Sequence, residues 1–355
     1  MNLQFAVNNG TPVFDQTGPT IELAFGLQFP TALLSNLDLD LDHYRVALSR
    51  DGGEHQRMAT TQGLLALRAA FIAHTGNDRR ALNSPPQLFA NEAGRGKAEQ
   101  WLRRYILNSA LEVGIVGDFQ PEEAKTLAAS TLGTLSRRRQ EKPGTPLSIS
   151  ITWMLVEDSA ELPASTSMCC ILWPVSLPND PRSTAALALA ADILRDRAMI
   201  VLRESLGATY SPDTQVFRDA VQLDFAFVSM VNKFELAQSQ KLNVLSLALA
   251  TDLAAKGATE VEFNRLKEPA RTRRAQAMRS SDWWANMVAV AQRRPGVLDE
   301  MRQRESVLDA VTLDDVNQAV LVFKPTRFTS VLLHPASAKI EPIKPTAKTR
   351  PSKKD

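Results

Sequence analysis

LRDRAMIVLRESLGATYSPDTQ, residues 194–215, is the stretch from which the organisation of the chain can be worked out. Apolar residues recur at helical spacing before it and through its first half, which predicts a helix with one buried stripe. The stripe consists of Leu187, Ala190, Leu194, Ala198, Val201 and Leu202. Gly207 suits the left-handed residue that closes a helix, and the chain from Tyr210 onward is predicted to be a strand. Arg203 stands in the last helical turn, where the helix dipole favours a cation, so Arg203 and Tyr210 can project towards the same space. The alternative is a surface arginine and a half-buried strand tyrosine with no shared role.

Composition indicates a globular protein without a nucleic-acid surface. The 355 residues are enough for two domains, and 44% hydrophobic with 23% charged residues is ordinary for a soluble protein. The formal net charge is +2, but residues 336–355 hold six Lys/Arg against Glu341 and Asp355. The body is therefore slightly acidic, which gives no electrostatic footprint for nucleic acid. The basic, proline-rich tail has little to bury and is expected to be disordered.

The cysteines and the N-terminus give expectations about compartment. Cys169 and Cys170 are adjacent inside an apolar run, and neighbours on a strand point to opposite faces, so free buried thiols are expected. The N-terminus lacks a basic region followed by an apolar core, and no apolar run reaches the roughly 20 residues that cross a bilayer. We therefore expect a cytoplasmic protein without a membrane span, or a periplasmic one if the true start lies upstream.

The first 75 residues are predicted to begin with strands. Asn9-Gly10 between two extended runs indicates a hairpin, because both residues favour positive φ. A second extended run is predicted over residues 21–29. Aspartates alternate with leucines in residues 38–42, which predicts a strand with an acidic face. A calcium loop is excluded because its sixth position would be His43 rather than glycine. Residues 58–74 have helical composition.

The middle of the chain is predicted to form a helix, a strand and a second helix. Residues 97–109 form an amphipathic pattern with Trp101 and Ile106 on the buried side. Residues 111–116 are predicted to be a buried strand, and Pro121 begins the next helix with acidic residues in its first turn. Residues 137–147 are polar and contain proline and glycine, which is typical of a linker between domains.

The second half is predicted to be an α+β domain. Strands are expected at 147–156, 168–175, 221–227 and 327–333, and helices at 183–206 and 234–256. Thr259 with Glu262, and Thr312 with Asp315, predict capped helix starts. Strand pairs and helix pairs without regular βαβ alternation favour an antiparallel-rich sheet with helices packed on one face.

Motifs for common chemistries are absent from the sequence. The four histidines are His43, His55, His74 and His334, and no two are four residues apart, so an H-x-x-E-H zinc motif is excluded. There is no G-x-S-x-G nucleophile elbow, phosphate loop or dinucleotide-binding glycine motif. Trp283-Trp284 near several arginines permits base stacking, but one buried tryptophan beside one at a helix rim is the preferred interpretation.

Two segments carry a resemblance to a known family. Residues 202–212, LRESLGATYSP, resemble the LRE-x-x-G-x-x-YSP segment in the last domain of insulinase/pitrilysin-type zinc peptidases. Residues 111–135, LEVGIVGDFQPEEAKTLAASTLGTL, resemble the element that ends each domain in this family, and NNGTPVF is similar to its starting hairpin. The resemblance covers about residues 75–335 and implies a C-terminal half of two related domains, metallopeptidase/processing-peptidase-like in fold.

The resemblance implies domains and roles. A shortened family domain is expected over residues 1–136 and a C-terminal domain over 148–335, joined by the linker 137–147 and followed by the tail 336–355. Arg203 and Tyr210 match the positions that hold the backbone of a bound peptide. No catalytic residue, metal or cofactor is expected on this chain; a zinc-bearing peptidase subunit, or a homodimer, would complete it. The alternatives are a non-catalytic structural or peptide-binding subunit and a truncated family remnant.

Overall fold

The computed structural model describes residues 2–8, 11–36, 39–49, 91–138, 154–160, 162–176, 180–205, 212–218, 226–289, 291–292 and 296–337. Several sequence predictions lie outside these ranges, namely the helix at 58–74, most of the linker, Tyr210 and nearly all of the tail. The proposed domain boundaries therefore stay predictions. No helix in the described ranges is long and apolar enough to cross a membrane.

The N-terminus forms the predicted hairpin and then a helix that was not predicted. Strands β1 (Asn2–Asn8) and β2 (Thr11–Thr17) pair antiparallel, with Asn8 opposite Thr11, which confirms the pairing of the predicted hairpin. Helix α1 (Leu23–Ser35) occupies most of the run predicted as a strand at 21–29. That prediction is wrong because tertiary packing overrides the strand-like alternation of large apolar residues: Leu27 and Leu34 are buried on one face of the helix, whereas Phe25 is 52% exposed.

The acidic segment is also a helix rather than a strand. Residues 41–49 form helix α2, and Asp40 caps its start: its Oδ1 accepts from the backbone N–H groups of Asp42 (2.9 Å) and His43 (3.0 Å). The backbone hydrogen bond from His43 is the main cause of the lowered pKa of Asp40. Asp40 is thus a helix cap and not part of the acidic face of a strand.

The next two helices lie close to the predicted positions, but the strand between them does not form. Helix α3 is Glu92–Tyr105 and helix α4 is Pro121–Ser130, with Pro121 at its first turn as predicted. Residues 110–116 are not a strand in the described part of the chain, and Leu111 is 38% exposed, so the prediction of a buried strand is wrong. The Cβ of any residue replacing Gly114 would lie 2.9 Å from the backbone nitrogen of Ala289, which shows a close backbone approach here.

The second half contains a five-stranded mixed sheet in the order β3-β7-β4-β6-β5. Its strands are β3 (Met154–Ala160), β4 (Thr166–Val175), β5 (Asp213–Arg218), β6 (Ala226–Glu235) and β7 (Thr329–Pro335). Only β3 and β7 are parallel; the other neighbours are antiparallel. The predicted α+β class with an antiparallel-rich sheet is confirmed.

Helices cover one face of this sheet. They are α5 (Pro181–Ala198), α6 (Ser239–Lys256), α7 (Glu260–Met278), α8 (Ser281–Val288), α9 (Val297–Arg302), α10 (Arg304–Ala310) and α11 (Leu313–Ala319). The main core joins α5, α6, α7, α10 and α11 to the strands, with Trp173 of β4 edge-to-face against Phe323 at 5.1 Å. Cys169 belongs to this core and Cys170 to a smaller cluster on the other face, so the thiols point to opposite sides as predicted.

Local signals place several helix ends correctly. Thr259 with Glu262 and Thr312 with Asp315 both form complete capping boxes. Gly257 ends α6 at a φ of 77°, where glycine is favoured. The start of α6 was predicted too early, at 234, because β6 continues through Glu235 before a short 3-10 turn leads into the helix.

Candidate functional site

The helix that leads to Arg203 is the central element of the core. Asp180 caps α5 by accepting from the backbone N–H groups of Arg182 and Ser183, and Pro181 occupies the first turn. Residues on several sides of α5 are buried, because the sheet lies on one side and other helices on the other. The nearly inaccessible residues include Leu187, Leu189, Ala190, Ile193, Leu194 and Ala198. A helix held in this way is a rigid support for the residues beyond its C-terminal end.

Those residues form a π-helical segment, Met199–Ser205, which the sequence did not reveal. The wider turn of a π-helix changes which side chains face the core. Leu202 is fully buried and anchors the segment, whereas the neighbouring Ile200 and Arg203 are exposed. The predicted helix at 183–206 is therefore α5 plus a π-helical extension, and that extension sets the direction of Arg203.

The guanidinium of Arg203 is exposed and has no strong hydrogen-bond acceptor among the described residues. Within the described part of the chain its hydrogen bond is to the sulfur of Met199, at 3.5 Å between Nη1 and Sδ, and it forms no ion pair there. A thioether is a weak acceptor, so most of the five N–H donors of the guanidinium are available to a ligand. Tyr210 lies outside the described residues; its convergence with Arg203 stays a prediction.

The last turn of α5 is tied to helix α7 by Arg197. Its Nε donates to Glu262 Oε1 at 2.7 Å, and its Nη2 donates to Glu262 Oε2 and to the carbonyl oxygen of Gly257, both at 2.9 Å. The hydrogen bond from Arg197 lowers the pKa of Glu262 to about 2. This bidentate ion pair fixes the C-terminal end of α5 two residues before the π-helical segment begins.

The described residues offer no group of His, Cys, Asp and Glu side chains that could hold a metal ion. His43 is exposed and lies 3.2 Å from Asp40, to which it is joined through the helix cap. His55 and His74 are outside the described residues. The thiol of Cys169 is fully buried, and burial raises its pKa to about 12, so it is not poised as a nucleophile.

Sequence reasoning missed a buried serine–histidine pair. Ser167 on β4 and His334 on β7 lie beside each other in the sheet, with 3.1 Å between Ser167 Oγ and His334 Nδ1. Burial lowers the pKa of His334, and the two residues are 0% and 2% exposed. No substrate can reach the serine oxygen in this arrangement, so the pair is part of the core. Only the strand register could have predicted it.

The adjacent tryptophans do not form a stacking platform. Trp283 and Trp284 lie edge-to-face, with ring centroids 4.8 Å apart, and both are half-buried. The indole N–H of Trp284 donates to the carbonyl oxygen of Met278 at 2.8 Å. The expectation of one buried and one rim tryptophan is therefore wrong, because each ring covers part of the other. Trp283 instead lies beside Arg304, whose guanidinium carbon is 5.8 Å from the ring centroid.

Comparison with known proteins gives one family match over part of the chain. The family model described as the peptidase M16 inactive domain matches residues 94–269. No curated protein matches the chain significantly.

Solved structures share the fold at low sequence identity. The chain is similar to the periplasmic protease PqqL from Escherichia coli, with 15% identity over 94% of this chain and a TM-score of 0.71. It spans only 37% of that protease. It is also similar to a peptidase M16 inactive domain from Pseudomonas fluorescens (16% identity, 96% of this chain, 82% of that one, TM-score 0.69). A chain of complex III2 from Candida albicans matches too (13% identity, 94% and 81%, TM-score 0.69). At these identities the likeness shows the fold.

Proposed function

Because residues 94–269 match the inactive domain of the M16 peptidases, we propose that this chain is the non-zinc half of a two-part peptidase. The match confirms the resemblance to a C-terminal half of an insulinase/pitrilysin-type enzyme. In our proposal the chain forms the substrate-binding wall of a closed chamber, and a separate zinc-bearing subunit forms the opposite wall. Peptide hydrolysis then requires both halves.

Within that proposal, the observation that supports a substrate-binding role is the setting of Arg203. Its guanidinium is exposed and, among the residues that the structure describes, is held only by a weak sulfur contact, while its support is a buried helix fixed at its end by Arg197. A rigid support with free donors suits the binding of a peptide carbonyl or carboxylate oxygen. Tyr210 is proposed to act with Arg203, its hydroxyl stabilising the oxyanion that forms during attack on the peptide bond.

Zinc belongs to the partner in this proposal because this chain's donor set does not fit the metal. The family's zinc site needs two histidines four apart on a helix, and the spacing of the four histidines here excludes it. No catalytic step is therefore assigned to a metal on this chain. Its own residues bind and orient the peptide and exclude water from it. The partner is a zinc-bearing subunit or, in a second arrangement, a further copy of this chain in a binding-only dimer.

A structural role is the second candidate function. It is favoured by the similarity to a chain of complex III2, of which the present chain spans 81%. In this alternative the exposed Arg203 contacts a neighbouring subunit and not a peptide. The two functions differ in whether the free chain has affinity for peptides.

The test is a reconstitution with any H-x-x-E-H protein encoded beside this chain, using a fluorescence-quenched peptide. We expect no hydrolysis by this chain alone and hydrolysis on mixing. Arg203→Ala should lower kcat/KM by about 10-fold to 100-fold, because a hydrogen bond to a charged group is worth about 1.5–3 kcal/mol. Tyr210→Phe should lower kcat more than it raises KM. Arg302→Ala is the matched control, since that arginine is exposed and pairs with Asp299 in its own helix. If Arg203→Ala and Tyr210→Phe leave both activity and peptide affinity unchanged, the chamber-wall function is wrong.

A further inference from the structure

A cavity of about 280 Å³ opens among α5, α7, α8 and α10, and Arg203 is not among its lining residues. Small and aliphatic side chains form much of its lining: Ala185, Ala188, Leu189, Ala270, Ala277 and Leu308. Alanines at helix–helix contacts leave space that larger side chains would fill. The cavity therefore results from the small side chains at the contacts between these helices.

The polar part of the lining is strongly unbalanced in charge. Arg273, Arg274 and Arg304 contribute three guanidinium groups, and Asp192 contributes the one carboxylate. Asp192 is already engaged, because it pairs with Arg273 and with Arg195. Two positive charges in the cavity thus lack a direct counter-charge among the described residues.

Arg274 and Arg304 make weak or neutral contacts only. Arg274 Nη1 donates to the backbone oxygen of Arg304 at 3.1 Å, and Arg304 Nη1 lies 3.9 Å from the sulfur of Met301. The Arg304 guanidinium also lies over Trp283. Neither arginine forms an ion pair within the described ranges, so most of their N–H donors point to no strong acceptor.

Burial makes this arrangement costly. Desolvation, with the charges of Arg304 and Arg273, lowers the pKa of Arg274 to about 10, although the charge of Asp192 acts in the opposite direction. Desolvation also lowers the pKa of Arg304, and the charge of Glu300 opposes that shift. Both groups still carry their charge at neutral pH. Half-buried like charges without a partner repel each other, and an anion placed between them would remove that cost.

We propose that this cavity binds a small organic oxyanion, held by the guanidinium forks of Arg274 and Arg304. The planar fork matches a carboxylate or a phosphate with two parallel hydrogen bonds. The Trp283 ring and the alanine floor accept the apolar body of the ligand. The volume lies just below the range that holds drug-sized molecules, so the ligand is compact.

The binding test uses isothermal titration of the full chain with benzoate and, separately, with inorganic phosphate, at an ionic strength held constant with sodium chloride. We expect saturable binding of at least one. Tighter binding of benzoate assigns the site to carboxylates with a ring, and tighter binding of phosphate assigns it to phosphoryl compounds. Arg274→Gln and Arg304→Gln should weaken binding at least tenfold. The control Arg302→Gln removes the same charge from an exposed position two residues from Arg304, and should change the affinity less than twofold. The absence of saturable binding, or an equal loss in Arg302→Gln, would overturn the proposal.

A second measurement avoids the risk that a variant fails to fold. The unaltered chain is treated with the arginine reagent phenylglyoxal, with and without the ligand that bound in the titration, and the modified peptides are quantified by mass spectrometry. That ligand should slow modification of Arg274 and Arg304 at least fivefold and leave Arg302 unchanged. Equal modification of all three arginines in both samples would contradict the proposed site.

Discussion

The ion pair between Arg197 and Glu262 gives the sharpest test of how the candidate site is supported. The perturbation is Arg197→Met, which keeps the aliphatic stem but removes the guanidinium. It leaves the Glu262 carboxylate and the Gly257 carbonyl oxygen without their hydrogen bonds from α5. The side chains of Arg197 and Glu262 are 17% and 15% exposed, so water replaces these bonds poorly. The expected result is a loss of unfolding free energy together with greater mobility of the segment that carries Arg203.

The magnitude can be worked from the pKa of Glu262. Its fall from the ordinary 4.5 to about 2 corresponds to about 3 kcal/mol of added stability. Hydrogen bonds from Thr259 supply part of that shift and remain in the variant, which leaves about 2 kcal/mol for Arg197. A carboxyl whose folded pKa is lowered stabilises the fold fully above its unfolded pKa and loses that contribution as the pH falls through the folded value. The contribution is therefore complete at pH 7 and declines between about pH 4.5 and pH 2.

The assay is urea unfolding of the wild type and Arg197→Met at pH 7 and pH 3, followed by far-UV circular dichroism. We expect the variant to lose about 2 kcal/mol at pH 7 and the gap to narrow by about half at pH 3. Arg265→Met is the matched control, because it breaks the more exposed ion pair to Asp196 between the same two helices and should cost less than about 1 kcal/mol. Glu262→Gln is a second variant: it removes the carboxylate charge but keeps a side chain that can still cap the start of α7. A gap below about 0.5 kcal/mol at pH 7, or one that does not change with pH, would refute this reasoning.

Three further predictions concern the core and a turn. Trp173→Ala should cost about 3–5 kcal/mol in urea unfolding, because the fully buried ring packs edge-to-face on its neighbour; a cost below about 1 kcal/mol would contradict the assigned core. The buried thiol of Cys169, with its pKa of about 12, should react with a thiol reagent such as dithionitrobenzoate only after denaturation, so reaction in the native state would show that the sheet opens. Gly257→Ala should destabilise more than Gly296→Ala. Both residues have positive φ, but a Cβ at Gly257 would lie 2.8 Å from Asn317 Oδ1, whereas the space at Gly296 is open. Equal costs in thermal unfolding would show that backbone strain alone decides.

The candidate site was predicted from sequence only in part. The helix, the exposed Arg203 and its place near the helix end depend on residues that are close together in the chain. The π-helical turn that orients Arg203 does not, because it depends on which neighbours bury Leu202. The role of Arg197 could not be predicted from the sequence either, because its partner Glu262 lies 65 residues away in the chain.

The sequence by itself determined features that depend on a few adjacent residues. The strand pairing of the N-terminal hairpin, the two capping boxes and the glycine end of α6 all formed as predicted, because turn and cap energies arise within four residues. The missing zinc motif is likewise a property of histidine spacing alone.

Only the tertiary structure decided between a helix and a strand at 21–29, where large apolar residues alternate as in a strand but the chain forms a helix. It also brought Ser167 to His334 and Arg274 to Arg304, pairs that the sequence separates by 167 and 30 residues. These contacts depend on strand order and helix packing, which result from many weak interactions throughout the core. No local pattern encodes that sum, so distant residues that share a site emerge only when the fold is known.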